Sequence, residues 1–269
     1  MESDYQLDQE PNHTSSSIGF ISAKSKIIIS ISIVAIFLIA LLIIILVVSL
    51  ENEETPAELD HSEFVILTEI IPDIVTELRY YSTYNFVGAR IDGYEEPVAI
   101  LTKKAAEKLK NVSKFMDENG YRIKVWDCYR PKSAVDHFLR WSEDESDDKM
   151  KDIFYPHLTK KEVYKKGFVA SNSSHSKGST VDLTLINKTT GADIDFGGCF
   201  DYFGNLSHTN YTGIEQIFQD RRQFLKQIME ENDFENLPEE WWHYTLKDQQ
   251  FPNTYFNFPV NATLIKQGN

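Results

Sequence analysis

Residues 173–185 read SSHSKGSTVDLTL, a turn of small polar residues that runs into alternating apolar positions. Val181, Leu183 and Leu185 against Asp182 and Thr184 follow the two-residue period of a β-strand, so the apolar set faces a core and Asp182 points the other way. Gly178 allows the chain before the strand to turn back, which places His175 beside Asp182. A histidine and a carboxylate on fixed backbone are half of a zinc site. A catalytic site needs one more protein ligand and an open position.

The third ligand is expected to be a histidine close to a general base. His13 and His61 lie in segments read below as tail and stalk, and His137, His157 and His208 have no acidic partner pattern, which fits surface or structural roles. PEEWWHYTL, residues 238–246, differs: Glu240 stands three residues before His243 in an aromatic run with strand character. Positions three apart face oppositely on a regular strand, so Glu240 is expected in the loop that enters it, where both side chains converge on one metal. Taken alone, each pair also fits a hydrogen-bonded turn or a strand edge.

Around these motifs, helical and strand patterns mix without a regular βαβ alternation. Thr102 is placed to cap a helix over 103–119, with Ala105, Leu109, Val112 and Met116 on one face and Gly120 as its stop. Residues 121–127 alternate Tyr121, Ile123 and Val125 with Arg122, Lys124 and Trp126, the pattern of a half-buried strand. Pro131 opens a helix through about residue 141, and an amphipathic helix follows over about 214–231. The fold class is α+β: one domain with a largely antiparallel sheet flanked by helices.

Outside that domain the chain changes character. Residues 27–50 are an uncharged apolar run, long enough as a helix to cross the roughly 30 Å core of a bilayer. Lys24 and Lys26 precede it and Glu51, Glu53 and Glu54 follow, so the positive-inside rule orients the chain as a single-pass type II protein. The expected organisation is a cytosolic tail over 1–26, a transmembrane signal anchor over 27–50, an acidic stalk over 51–63 and an extracellular or lumenal domain over 64–269. Six N-x-[ST] sequons beyond the anchor, at Asn111, Asn172, Asn187, Asn205, Asn210 and Asn261, agree with a secretory route.

The formal charge is −14, all but −2 of it after residue 26, which argues against nucleic acid or anionic surfaces as partners. Cys128 and Cys199 read either as a disulfide in an oxidising compartment or as two free thiols. No CxxC occurs, which excludes a cysteine-based zinc cluster.

The paired motifs together resemble the zinc D-alanyl-D-alanine dipeptidases of the VanX type, peptidase family M15. The S-x-H-x-x-G-x-A-x-D pattern matches at Ser173, His175, Gly178 and Asp182, with Thr180 where alanine is usual, and E-W-W-H matches fully at 240–243. ELRYYSTYNFVG (77–88), DCYRPKSAV (127–135) and DFGGCFDYFG (195–204) resemble further family segments in the same order. The resemblance spans about residues 64–250.

It implies one Zn2+ per chain held by His175, Asp182 and His243, with Glu240 as general base. Arg130 would face the developing oxyanion, and Asp201 and Ser173 would bind a small peptide substrate, Asp201 taking its free ammonium. An anchor and sequons depart from the soluble bacterial enzymes that define the family. Two other readings share the metal set: a D,D-carboxypeptidase acting on longer peptides, and a non-catalytic zinc module of the Hedgehog type, against which Glu240 and Arg130 speak.

Overall fold

The structure is a computed structural model that describes residues 38–41 and 61–268. The run 27–50 expected to cross the membrane lies outside the described residues, except for 38–41, which are helical. Among the described residues no helix is long and apolar enough to cross a membrane. The chain divides into two units, Met1–Glu58 and Leu59–Asn269, of which the second holds the sheet and the site.

That unit opens with a 3-10 turn, His61–Glu63, followed by β1 (Phe64–Ile66), the one-turn α1 (Leu67–Ile70), β2 (Val75–Thr76) and β3 (Ile100–Thr102). His61, read from sequence as stalk, lays its ring edge-on against Phe258 at 4.7 Å. Then come α2 (Lys103–Glu118), β4 (Tyr121–Asp127), α3 (Lys132–Glu143), α4 (Lys151–Phe154), α5 (Lys160–Lys165) and β5 (Thr180–Asn187). The chain ends with α6 (Gln216–Glu231), β6 (Phe234–Asn236), β7 (His243–Leu246) and α7 (Ala262–Gly268).

The three long helices form where apolar periodicity places them. Ala105, Leu109, Val112 and Met116 are fully buried on α2, and Gly120, at φ +84°, turns the chain out of it. Pro131 occupies the N-cap of α3, where its missing N–H costs nothing. Thr102 does stand at the N-cap of α2, but its side chain makes no cap bond. It is also the last residue of β3, and its hydroxyl is spent on Ser179 Oγ at 2.9 Å.

A five-stranded sheet, in the order β2-β4-β5-β7-β6, carries the site; β2 runs parallel to β4 and the other pairings are antiparallel. A separate antiparallel pair joins β1 to β3. The expectation that β4 is half-buried is corrected: Ile123 to Asp127 are all buried. Its second face is covered, since Trp126 packs on Phe200 at 4.8 Å and on Trp241 at 5.9 Å. Lys124 tolerates that cover through ion pairs to Glu77 at 2.8 Å and Asp193 at 2.5 Å.

Register then delivers the chemistry. A shift between Val125 and Asp127 sets Asp127 opposite Asp182, and Asp182 pairs with His243 on the next strand. Three polar residues therefore lie side by side across β4, β5 and β7. Gly178, at φ +77°, packs so tightly under this row that a Cβ there would stand 2.3 Å from the Phe64 ring.

The disulfide alternative is corrected: both cysteines are free, Cys128 buried and Cys199 exposed. Cys128 continues β4 into the floor of the site, whereas Cys199 lies on the exposed side of the 195–204 loop. Of the sequons, Asn111, Asn172, Asn205 and Asn210 are exposed, while Asn187 and Asn261 are half-buried.

Candidate metal centre

Ser173 starts the 3-10 turn Ser174–Lys177 and accepts the His175 N–H on its hydroxyl at 3.3 Å, which fixes the backbone of the first ligand. His175 Nδ1 lies 2.6 Å from the Cys128 carbonyl oxygen. A carbonyl only accepts, so Nδ1 carries the proton and Nε2 presents a lone pair. That lone pair faces Asp182 Oδ2 at 3.2 Å and His243 Nδ1 at 3.3 Å, and His243 Nδ1 lies 3.1 Å from Asp182 Oδ1. On its far side His243 Nε2 meets Ser174 Oγ at 3.2 Å, a partner that lets Nε2 keep the proton and frees Nδ1.

This donor set fits zinc. At metal bonds of about 2.0–2.1 Å, the edges of a tetrahedron measure roughly 3.3 Å, the separation of the two imidazole nitrogens, each of which lies at a similar distance from a different oxygen of Asp182. Asp182 Oδ1 is buried with no hydrogen-bond donor. Two imidazole lone pairs and an orphaned carboxylate oxygen converge on a point that a cation satisfies. Without a metal, burial pushes the Asp182 carboxyl up, but His175 and His243 outweigh it and hold it below the usual range. Burial opposes protonation of His243, yet Asp182 and Glu240 raise its pKa to about 9.

The groups around the ligands are ordered by the same strand ends. Glu240 ends a tight turn before β7, accepts the His243 N–H on its carbonyl at 3.2 Å, and brings Oε2 to 3.4 Å from His243 Nδ1. The expectation that it sits in the loop entering the strand is met by this placement. Arg130 donates from Nε to Asp127 Oδ2 at 2.8 Å and reaches Asp182 Oδ2 at 3.5 Å. Its guanidinium lies over the Tyr80 ring at 4.9 Å. Asp127 is fully buried, and its other oxygen accepts the Tyr94 hydroxyl at 2.6 Å.

Asp201 is held in the left-handed region at φ +60°, and its Oδ2 accepts the Tyr80 hydroxyl at 2.9 Å. Among the described residues it forms no ion pair. Burial, reinforced by Asp182 and Glu240 and only partly offset by Arg130 and the Tyr80 hydroxyl, pushes its carboxyl well above the ordinary carboxylate range. Ser173, His175, Asp182, Asp201, Glu240 and His243 all line one cavity of about 450 Å³, with Arg130 and Tyr80 in its wall. The residues read from the sequence as ligands, base, oxyanion partner and substrate contacts thus all line one cavity. His137 is outside it, its Nδ1 taken by the Asp92 N–H.

Sequence reasoning missed Tyr80, Tyr94, Asp127 and Ser174 as working parts. Asp127 and Ser174 stand inside the quoted motifs, next to residues that were read. Tyr80 stands inside ELRYYSTYNFVG as well, but its partner Asp201 is 121 residues away, and the segment alone does not mark that contact.

The family model for peptidase M15, described as D-ala-D-ala dipeptidase, matches residues 60–261. A D-alanyl-D-alanine dipeptidase of Enterococcus faecalis is 41% identical over 198 residues, 74% of this chain and 98% of that one. The Enterococcus faecium protein of the same description is 39% identical over 73% of this chain and 98% of its own length. That of Streptomyces coelicolor is 36% identical over 74% and 98%. Among solved structures, a vancomycin-resistance D,D-pentapeptidase VanY variant with Zn(II) aligns at TM-score 0.33 and 12% identity, over 63% of this chain and 78% of that one, and bears on no residue here. The match over most of the chain, on a fold that builds a three-donor zinc site, makes this chain a zinc metallopeptidase belonging to the D-alanyl-D-alanine dipeptidase family.

Proposed function

We propose that the enzyme hydrolyses free dipeptides, D-Ala-D-Ala or similar, with Glu240 as general base. When bound, zinc supplies Lewis acidity that acidifies water toward neutrality and polarises a carbonyl. Glu240, whose side chain is a quarter exposed beside His243, takes a proton on its carboxylate and returns it to the leaving amine. Arg130, fixed from behind by Asp127, offers its outer N–H groups to the carbonyl oxygen as negative charge grows there. Asp201 receives the substrate ammonium, and Ser173 contributes to the same wall.

The observation that carries this reading is the state of Asp201. A buried carboxylate with one tyrosine hydroxyl and, among the described residues, no ion-pair partner is costly unless a ligand brings a cation to it, and a free N-terminus is one. The test compares a free dipeptide with its N-acetylated form and with longer peptides, with and without chelator. Cleavage of the free dipeptide alone is expected. Efficient cleavage of the acetylated or longer peptides would favour the D,D-carboxypeptidase reading.

We further propose that residues 27–50 anchor the chain as a type II membrane protein with the peptidase domain outside the cytosol. The lysines before that run, the glutamates after it and the sequons beyond it support this placement. Glycosidase treatment of protein expressed in a glycosylating cell is expected to increase gel mobility; no change, with the domain open to protease from the cytosolic side, would reject it.

A further inference from the structure

Two segments of the cavity come from different parts of the chain. The loop through 196–209 carries Asp201, and the turn through 237–243 carries Glu240 and His243. One set of buried hydrogen bonds joins them. Arg222, fully buried on α6, donates Nε to Phe196 O at 2.8 Å and Nη1 to Leu206 O and His208 O, both at 2.9 Å, so the first loop is tied at its two ends. Trp241 N–H donates to Ser207 O and Thr209 N–H to Pro238 O, both at 2.9 Å.

The side-chain link is Thr209 to Asn236. Thr209 Oγ1 donates to Asn236 Oδ1 at 2.6 Å, and Asn236 Nδ2 donates to Glu240 O at 3.0 Å and His243 O at 3.1 Å. Two carbonyls on the amide nitrogen fix its orientation, since only an NH2 group serves both. Thr209 is 1% exposed and Asn236 7%, so the bond between their side chains is shielded from water.

We infer that Thr209 and Asn236 are positioning residues that hold the ammonium-binding carboxylate at a fixed distance from the base and the metal ligand, and so set the enzyme's selectivity for dipeptides. The inference rests on the proposed role of Asp201 as the ammonium site. A dipeptide is measured between two points: its N-terminus at Asp201 and its scissile carbonyl near Glu240. If those points drift relative to one another, the ammonium contact no longer coincides with the reactive geometry. The advantage of a free over a blocked N-terminus then falls, while residual hydrolysis persists.

The test measures kcat/KM of full-length zinc enzyme for a free dipeptide and for its N-acetylated form in wild type, Thr209→Val, Thr209→Ser and Asn236→Ala. Thr209→Val keeps the shape but removes the hydroxyl donor, and is expected to narrow the free-to-acetylated ratio by about tenfold or more, with zinc retained. Thr209→Ser restores the hydroxyl and is expected to return the ratio to within about twofold of wild type. Asn236→Ala supplies the same reading where Thr209→Val is not recovered folded. A purely structural role would lower both rates by one factor and leave the ratio unchanged. A discriminating wild type whose ratio survives in both variants overturns the inference alone; a wild type that cleaves both substrates equally overturns the dipeptidase reading and the inference with it.

Discussion

Asp127 stands behind Arg130, and changing it to asparagine removes one bond while keeping the shape. One carboxylate oxygen accepts the Tyr94 hydroxyl at 2.6 Å and the other accepts Arg130 Nε at 2.8 Å. An asparagine has one acceptor for these two donors, so whichever way the amide turns, one donor is left unmatched. With Tyr94 satisfied, the amide NH2 faces the guanidinium, whose nearest carboxylate becomes Asp182 at 3.5 Å, itself a zinc ligand. A hydrogen bond to a charged group contributes about 1.5–3 kcal/mol. If that hold acts on Arg130 in the transition state, kcat/KM falls by about 10- to 150-fold at 1.36 kcal/mol per tenfold. Burial is the largest influence on the Asp127 carboxyl and raises it, and the amide escapes that cost, so global stability should change less than activity. Steady-state dipeptide hydrolysis, zinc content and urea unfolding on Asp127→Asn measure the three quantities. A fully zinc-loaded variant with kcat/KM within about twofold of wild type would refute the claim that Asp127 holds Arg130 for catalysis.

The metal set gives a sharper contrast: His175→Ala and His243→Ala should lose zinc and activity together, while Glu240→Ala keeps zinc and loses about a hundredfold or more in kcat. Gly178→Ala should destabilise the fold by about 2–5 kcal/mol, from the left-handed backbone plus overlap with the Phe64 ring, read as a lower urea midpoint. Lys108 holds the Asp233 carboxyl below its ordinary value, so that pair stabilises the fold above the unfolded pKa and the effect is lost as pH falls through the folded one. The midpoint difference between wild type and Lys108→Ala should therefore be steady from about pH 5 to 7 and shrink as the pH falls below the ordinary carboxylate value of about 4. Because both cysteines are free, a reducing agent should leave the melting temperature unchanged.

What the sequence discloses follows the range of the interactions involved. Ala105, Leu109, Val112 and Met116 recur on a helical period, and Val181, Leu183 and Leu185 on a strand period, so α2 and β5 are visible without any partner. His175, Asp182, Glu240 and His243 are visible for a related reason, since each pair is carried by one short turn or strand end. Lys124 and Trp126 mislead, because their alternation describes β4 alone and not the loop that covers it. Thr102 looks like a cap until Ser179, 77 residues on, claims its hydroxyl. Thr209 and Asn236 are 27 residues apart and share no pattern with each other, so their bond exists only once the sheet is assembled.

Strand β7 lies inside the sheet, between β5 and β6, although it comes last of the five in the sequence. A nascent chain ending before His243 already displays His175 and Asp182, but the edge of β5 is open and β6 has no neighbour through which to join. At roughly 5–20 residues per second, translation leaves that edge exposed for seconds before β7 emerges. The segment that closes the sheet also brings the third zinc donor and the base. The metal site is therefore completed in one step, when β7 joins the sheet, and a chain that stops before Glu240 carries neither the third donor nor the base.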